Sequence, residues 1–144
     1  MLKGIDPLLG AELLMVLASM GHGDEIVIAD ANFPAASVAR TTVHGRLLHM
    51  DCDAPRAVRA VLSLLPVDGY EPDPVLTMQV VGDPLAVPPV VAEATPLFTA
   101  EGAAIGSLER FAFYDRARRA FAVVRTAETR PYGNFIIRKG VIAT

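Results

Sequence analysis

The sequence predicts an α/β fold: one domain, residues 1–144, with a mixed β-sheet flanked by helices in three layers, α/β/α. Three observations lead there. Helix-like and mostly apolar strand-like segments alternate along the chain, the order that lays helices over a sheet. Residues 26–29 (IVIA) form an unbroken apolar run rich in β-branched side chains, the pattern of a strand buried on both faces. The last two strand-like runs are joined by a short connection, which makes at least one strand pair antiparallel. A chain of 144 residues is long enough to bury a sizeable single core.

Each element has its own signal. Asp6 and Pro7 open a helix, with a capping acid and a proline at the first helical position. Leu9, Leu13, Val16, Leu17 and Met20 recur near helical spacing, and Gly21 stops the run. The strand 26–29 follows directly. Residues 35–51 read as irregular, with a short strand about 46–49. Asp53 and Pro55 start a second helix carrying Val58, Val61, Leu62 and Leu65 on one side, and Pro66 ends it. A polar turn over 67–74 leads into a strand over 75–81. Between residues 82 and 106, Pro84, Pro88, Pro89 and Pro96 hold any helix to about two turns. A helix rich in arginine and aromatic residues is predicted over 109–120. Two final strands, 121–125 and 135–138, are joined by a turn through Pro131 and Gly133.

Composition narrows the function classes. Hydrophobic residues make up 52% and charged residues 20%, against about 25% charged in an ordinary soluble domain. No apolar run approaches the roughly 18 residues of a membrane helix. Asp6 and Glu12 interrupt the leucine-rich start, and no signal-peptide cleavage pattern follows. The excess apolar surface is therefore expected in subunit interfaces, and the chain reads as a cytoplasmic homo-oligomer without membrane partners. A net charge of −3 and the absence of a long basic run disfavour nucleic acid. The single cysteine, Cys52, excludes an intrachain disulfide and suits a reducing compartment.

Chemistry concentrates in residues 20–34, MGHGDEIVIADANFP. Gly21 and Gly23 flank His22, so the backbone can turn sharply and hold the imidazole in a cavity. Asp30 stands where the following strand ends, and carboxyl ends of strands are where open sheets bind ligands. The common motifs are missing. There is no P-loop, and Gly21-His22-Gly23 lacks the third glycine and preceding strand of a dinucleotide fingerprint. His44, His49, Asp51 and Cys52 match no usual zinc spacing, and no metal is expected. None of Ser19, Ser37, Ser63 and Ser107 has a nucleophile-elbow context. What remains is a set of hydrogen-bonding groups at element ends: His22, Asp30, Asp68, Arg110, Tyr114, Tyr132 and Asn134. Each also has a plain structural use. Asp30 can cap a turn, Asp68 can form an Asx-turn before Gly69, and Tyr132 can pack beside Gly133. Arg110 and Tyr114 lie one helical turn apart and share a face.

MGHGDEIVIADANFP, LLPVDGY, ERFAFYDRARRAFAVVRTAE, YGN and IIRKGV, in that order, resemble the fucose mutarotase and ribose pyranase family over most of the chain. ERFAFYDRA resembles its fucose mutarotase branch. The resemblance implies interconversion of anomers or ring forms of free monosaccharides, L-fucose or a related sugar, without a cofactor. It implies ring-shaped assemblies, usually decamers of two stacked pentamers, with sites near subunit boundaries. It also implies catalytic roles for His22 and Tyr114, and sugar-binding roles for Asp30, Asp68, Arg110, Tyr132 and Asn134. Two departures stand out. Thr126-Ala127-Glu128 replaces the family's usual TGE, which would shift the Tyr132–Asn134 loop if that glycine needs positive φ. The proline-rich stretch 84–96 has no counterpart in the pattern. All three histidines precede residue 50, so the later histidine of the ribose pyranase branch is missing, which favours fucose over ribose. Two alternatives stay open: a non-catalytic monosaccharide-binding or regulatory protein on the same scaffold, and a ribose pyranase-like activity.

Overall fold

A computed structural model describes all residues, 1–144. Six strands form one sheet in the order β2-β5-β1-β6-β3-β4. The strands are β1 (Glu25–Ala29), β2 (Leu47–Met50), β3 (Val75–Met78), β4 (Ile105–Leu108), β5 (Ala122–Thr126) and β6 (Phe135–Arg138). The β1–β5, β2–β5 and β3–β4 pairs are parallel, whereas β6 runs antiparallel to both β1 and β3. The expected antiparallel pairing therefore exists, but not between β5 and β6. β1 is inserted between them, so their connection crosses the end of a third strand.

Helices cover both faces, giving the three α/β/α layers. On one side lie α1 (Ala11–Ser19), α3 (Ala54–Leu62) and α4 (Pro89–Ala100), packed against Ile26, Ile28, Val124, Phe135 and Ile137. On the other, α2 (Ala35–Ala39) and α5 (Arg110–Arg118) pack against Val27, Ala29, Val123 and Ile136. Successive strand side chains point to opposite faces, so the IVIA run feeds both cores and is completely buried.

Several elements differ from expectation for identifiable reasons. Asp6 does not cap α1, whose N-cap is Gly10. Its carboxylate instead accepts the Leu8 amide and both forks of the Arg56 guanidinium, tying the N-terminal segment to α3. Asp53 caps α3 as expected, accepting from the Arg56 amide. β3 stops at Met78 because residues 80–83 turn back on themselves, with Gly82 at φ 79°. The prolines do not confine α4 to two turns: it runs for twelve residues. Pro88 and Pro89 sit at its N-cap and first turn, where a proline ring is preset for helix and no hydrogen bond is lost. Only Pro96 is interior, and burial of Val90, Val91, Ala94 and Phe98 outweighs its cost of about 3 kcal/mol.

The loop between β5 and β6 is held by a buried carboxylate. Glu128 accepts the Arg130 amide and guanidinium and the amide of Ala54 at the start of α3. The Arg130 side chain beside it, opposed by the cost of burial, holds the Glu128 carboxyl down to about 2, from an ordinary 4.5. A depressed folded-state pKa stabilises above the unfolded value, and that contribution is lost as pH falls from about 4.5 toward 2. The shift corresponds to at most about 3 kcal/mol, less the solvent screening on the half-open Arg130 side. Wild type is therefore expected to lose more stability than Glu128→Gln across this window, the gap between them closing near pH 2. Denaturant melts of both proteins at stepped pH measure it, and a gap independent of pH would contradict it.

Candidate functional site

The five parallel strands end together, and β6 begins at that same edge. Along this carboxyl edge, Asp30, Asn32, Phe33, Met78, Arg110, Tyr114, Pro131, Tyr132 and Asn134 line an open pocket of about 240 Å³. Most groups singled out in the sequence are there. Arg110 and Tyr114 come from the first turns of α5, whose N-cap Glu109 accepts the amides of Phe111 and Ala112. Phe113 and Ala117 anchor that helix in the core. Phe111 is exposed, with the Arg110 guanidinium 4.6 Å from its ring centre. The Tyr114 ring leans on Phe33, 5.5 Å between centroids.

Hydrogen bonding sorts these groups into those already occupied and those free. Asp30 Oδ1 accepts the amides of Asn32 and Phe33, and Oδ2 accepts that of Gly133. Asp30 is thus both turn cap and brace, with little acceptor capacity left. Asn134 Oδ1 accepts the Asp30 amide, which leaves its Nδ2 as an available donor. Tyr132 adopts φ 62°, the left-handed region, and its hydroxyl accepts the Val81 amide at 3.2 Å. Arg110 Nε is buried without a partner. A buried guanidinium donor with nothing to bind is costly, and it sits at this pocket's wall. Ala127 has no positive φ, so the alanine in place of glycine does not displace the loop.

His22 and Asp68 lie elsewhere. They sit at the opposite, amino edge of the sheet, before β1 and β3. The five residues of β1, at roughly 3.3 Å each, put about 16 Å between the His22 and Asp30 ends. Nor is His22 enclosed in a cavity: its side chain is 45% exposed. Gly23 at φ 88° makes the turn, and a Cβ there would meet the Arg138 guanidinium at 3.0 Å. His22 Nε2 lies 3.2 Å from Asp68 Oδ1, and its ring stands 5.5 Å from that of Tyr70. The Asp68 side chain is fully buried and also accepts the Tyr70 amide and Arg138 Nε. Burial pushes the Asp68 carboxyl up, but the bonds from Tyr70, His22 and Arg138 outweigh it and hold it below the usual carboxylate range. An ionised carboxylate only accepts, so Nε2 carries the proton in neutral His22 and Nδ1 keeps its lone pair.

Other chemistry-bearing residues have structural uses. His44 Nε2 is 2.9 Å from Glu12 Oε1, and His49 sits on edge strand β2. Burial, together with Asp53, raises the Cys52 thiol, the reverse of an activated thiolate. Larger hollows, of about 490 and 340 Å³, flank α1 and are lined mainly by aliphatic side chains without convergent polar groups. Sequence reasoning missed Phe33 and Met78 in the pocket and Tyr70 and Arg138 beside His22. Tyr70 and Arg138 both fall within the quoted segments LLPVDGY and IIRKGV, which was the available signal.

An α/β domain gathering a guanidinium, two phenols and an amide at the carboxyl edge of its sheet is a binder of small, polar, hydroxyl-rich ligands. Its family follows from likeness along the whole chain. Residues 3–142 match the RbsD / FucU transport protein family, and the chain belongs to that family. It is 45% identical over 150 residues to the fucose mutarotase of Homo sapiens, covering 99% of this chain and 95% of that one. The structure of the fucose mutarotase from Streptococcus pneumoniae in complex with L-fucose superposes with a TM-score of 0.88 at 37% identity, covering 99% and 100%. For Bacillus subtilis RbsD complexed with D-ribose the TM-score is 0.76 and the identity 25%, covering 99% and 100%.

The Asp68 contact makes a measurable claim about His22. Nitrogen-15 NMR of the sugar-free protein should show neutral His22 almost wholly as the Nε2–H tautomer, and Asp68→Asn, a weaker acceptor that can also present a donor, should lower that fraction. A predominantly Nδ1–H ring in wild type would refute the orientation by Asp68.

Proposed function

We propose that the chain is an isomerase that interconverts the anomers of L-fucose or a closely related free monosaccharide without a cofactor. The observation that carries this reading is the unpaired Arg110 Nε at the wall of a pocket offering donors from Asn134, Tyr114 and Tyr132, in a chain alike end to end with fucose mutarotases. A guanidinium offers a rigid fork of donors suited to adjacent hydroxyls on one sugar face.

Mutarotation needs a proton taken from the anomeric hydroxyl and another given to the ring oxygen. The C1–O5 bond breaks, C1 becomes an aldehyde, and the group turns and recloses on its other face with the proton roles exchanged. No electrons are transferred overall. His22, with a free Nδ1 lone pair and Asp68 behind it, is the general base and then acid, since an imidazole does both near neutral pH. Tyr114 serves the second proton. Arg110, Tyr132, Asn134 and the remaining acceptor capacity of Asp30 hold the sugar, whereas Asp68, expected among the sugar-binding groups, is fully buried against Tyr70, Arg138 and His22 and orients His22 instead.

His22 and Tyr114 belong to opposite sheet edges, so one protomer cannot close such a site. We propose that the amino edge of one copy meets the carboxyl edge of the next in a ring, and that rings pair into a decamer of two pentamers. Exposed Val81, Leu85, Val87 and Phe111 near the carboxyl side, and Tyr70 at the amino side, supply apolar area for that contact. The cytoplasm is the proposed compartment, in keeping with the single half-buried thiol; no helix is long and apolar enough to cross a membrane.

Two experiments test this. His22→Asn should lower catalysed anomer exchange, followed by saturation-transfer NMR, by roughly 10²–10⁴-fold in an intact oligomer. Arg110→Ala should be impaired as well. Co-assembling the two variants in equal amounts should restore about a quarter of the wild-type rate, because a head-to-tail contact then rebuilds one intact pairing in four. Wild-type exchange by folded His22→Asn sinks the catalytic assignment, and no recovery on co-assembly sinks the shared site. Separately, Arg110→Ala should cost about 1–3 kcal/mol of L-fucose binding and much less of ribose binding. Calorimetric titration of both sugars decides, with equal losses removing Arg110 as the selectivity element.

A further inference from the structure

Glu128 lies outside the pocket, yet its bonds to Arg130 and Ala31 hold the segments that carry the pocket wall. It is 2% exposed. Its Oε1 accepts the Arg130 amide and Nε, both at 2.9 Å, and its Oε2 accepts an Arg130 terminal nitrogen at 2.9 Å and the Ala54 amide at 3.2 Å. Its backbone carbonyl accepts the Ala31 amide at 2.8 Å, next to Asp30. Its amide donates to Thr126 Oγ1, which itself donates to the Ala29 carbonyl. Arg130 continues to Glu93 on α4 at 2.6 Å. Glu128 thus joins four elements: its backbone meets the ends of β1 and β5, and its carboxylate meets α3 and, through Arg130, α4.

The next residues are the ones that need holding. Tyr132 is the one non-glycine residue with positive φ, a conformation that persists only where surroundings over-determine it. Gly133 rests directly on Glu128: a Cβ there would lie 3.0 Å from Glu128 Cγ and 3.4 Å from Asp30 Cβ. From that seat the Gly133 amide reaches Asp30, and the Tyr132 hydroxyl reaches the Val81 amide.

We infer that Glu128, with Arg130, is a positioning residue for sugar recognition: it seats Gly133 and thereby fixes Tyr132 and Asn134 in the pocket, without itself touching the sugar. This rests on the proposed sugar-handling reading for its catalytic consequence, while the seating itself does not. Glutamine at 128 keeps the shape but turns a donor toward the Arg130 and Ala54 N–H groups, so the loop loses its brace while the core stays packed. The His22 chemistry, at the other edge of the sheet, is untouched by that change.

The test uses Glu128→Gln and, as a second variant with a milder perturbation, Arg130→Lys, which keeps a charge but loses the fork. Three quantities are compared with wild type: amide hydrogen exchange without sugar, L-fucose affinity, and anomer exchange at saturating L-fucose. In Glu128→Gln the Val81 and Gly133 amides should speed up about tenfold more than the β1 amides, which follow only the change in global stability. The L-fucose Kd should rise about tenfold, and the rate at saturation should fall less than about threefold. Arg130→Lys should move the same quantities by less. Unchanged local amides in both variants overturn the inference, as does acceleration shared equally by β1, which is global destabilisation. Faster local amides with unchanged L-fucose affinity also overturn it. If Glu128→Gln does not fold, Arg130→Lys decides by the same criteria. Wild type that neither binds L-fucose nor speeds its exchange removes the sugar reading instead and with it the catalytic consequence, and the sugar-free amides still decide the seating.

Discussion

β6 lies between β1 and β3 and runs against both, and the position of each polar group follows from that one pairing. Its register sets Ile136 opposite Val27 on one side and Leu76 on the other, deep in the sheet. The strand is only four residues long, so its two ends emerge at opposite edges. Asn134 precedes it at the carboxyl edge of the parallel strands, beside Asp30. Arg138 ends it at the amino edge, beside Asp68. A slip of one residue would turn Ile136 toward the wrong core and carry Asn134 and Arg138 out of reach of their carboxylates. Burial of apolar side chains on both faces is what forbids the slip. The core therefore sets the geometry of both polar clusters, although neither cluster contributes to the core.

The two clusters use their carboxylates in the same way. Asp30 is filled by three amides and Asp68 by an amide, a guanidinium and an imidazole. Both act first as braces. What is left unpaired beside each brace differs: donors at the carboxyl edge, from Arg110 and Asn134, and an imidazole nitrogen at the amino edge, from His22. Under the proposed reading, the sugar-holding groups and His22 are thus separated by the length of a strand within one chain. Glu128 repeats the pattern a third time, one step behind the pocket.

The parts of the fold legible in the sequence were those carried by apolar periodicity. β1, α3, α5 and β6 each have a dense apolar pattern or a capping signal, Asp53 being the clearest. α2 and β4 were not legible. α2 is a single turn without a side-chain cap, held by burial of Ala35, Val38 and Ala39 rather than by propensity. β4, IGSL, is an edge strand with a glycine and a serine, recognisable only from its pairing with β3. α4 is hidden by its prolines, which break a helix only in its interior, whereas Pro88 and Pro89 start this one. For the pocket, spacing placed Arg110 and Tyr114 together correctly, since they share one helix. No spacing rule could show that His22 and Asp30, eight positions apart by number, sit at opposite edges. That follows from the strand between them being extended, which the IVIA run did signal.

The separation along β1 also constrains how copies can associate under the proposed reading. A site made from the amino edge of one protomer and the carboxyl edge of another uses two different surfaces, so the contact is heterologous, not two-fold symmetric. Such a contact propagates head to tail and ends only when its rotation closes a ring. A two-fold dimer joining like edges would bring His22 to His22 or Arg110 to Arg110 and complete nothing. Catalysis by this arrangement therefore selects cyclic assembly, and exposed apolar side chains stand toward both edges, Val141 and Ile142 following the amino-edge end of β6. Leu85 and Val87 project from the segment before α4, on the binding side, while the histidine side offers Tyr70. The proline-rich stretch 84–89 then has a physical rationale. Pro84, Pro88 and Pro89 stiffen a loop that must present apolar side chains to another chain, lowering the conformational entropy lost on contact.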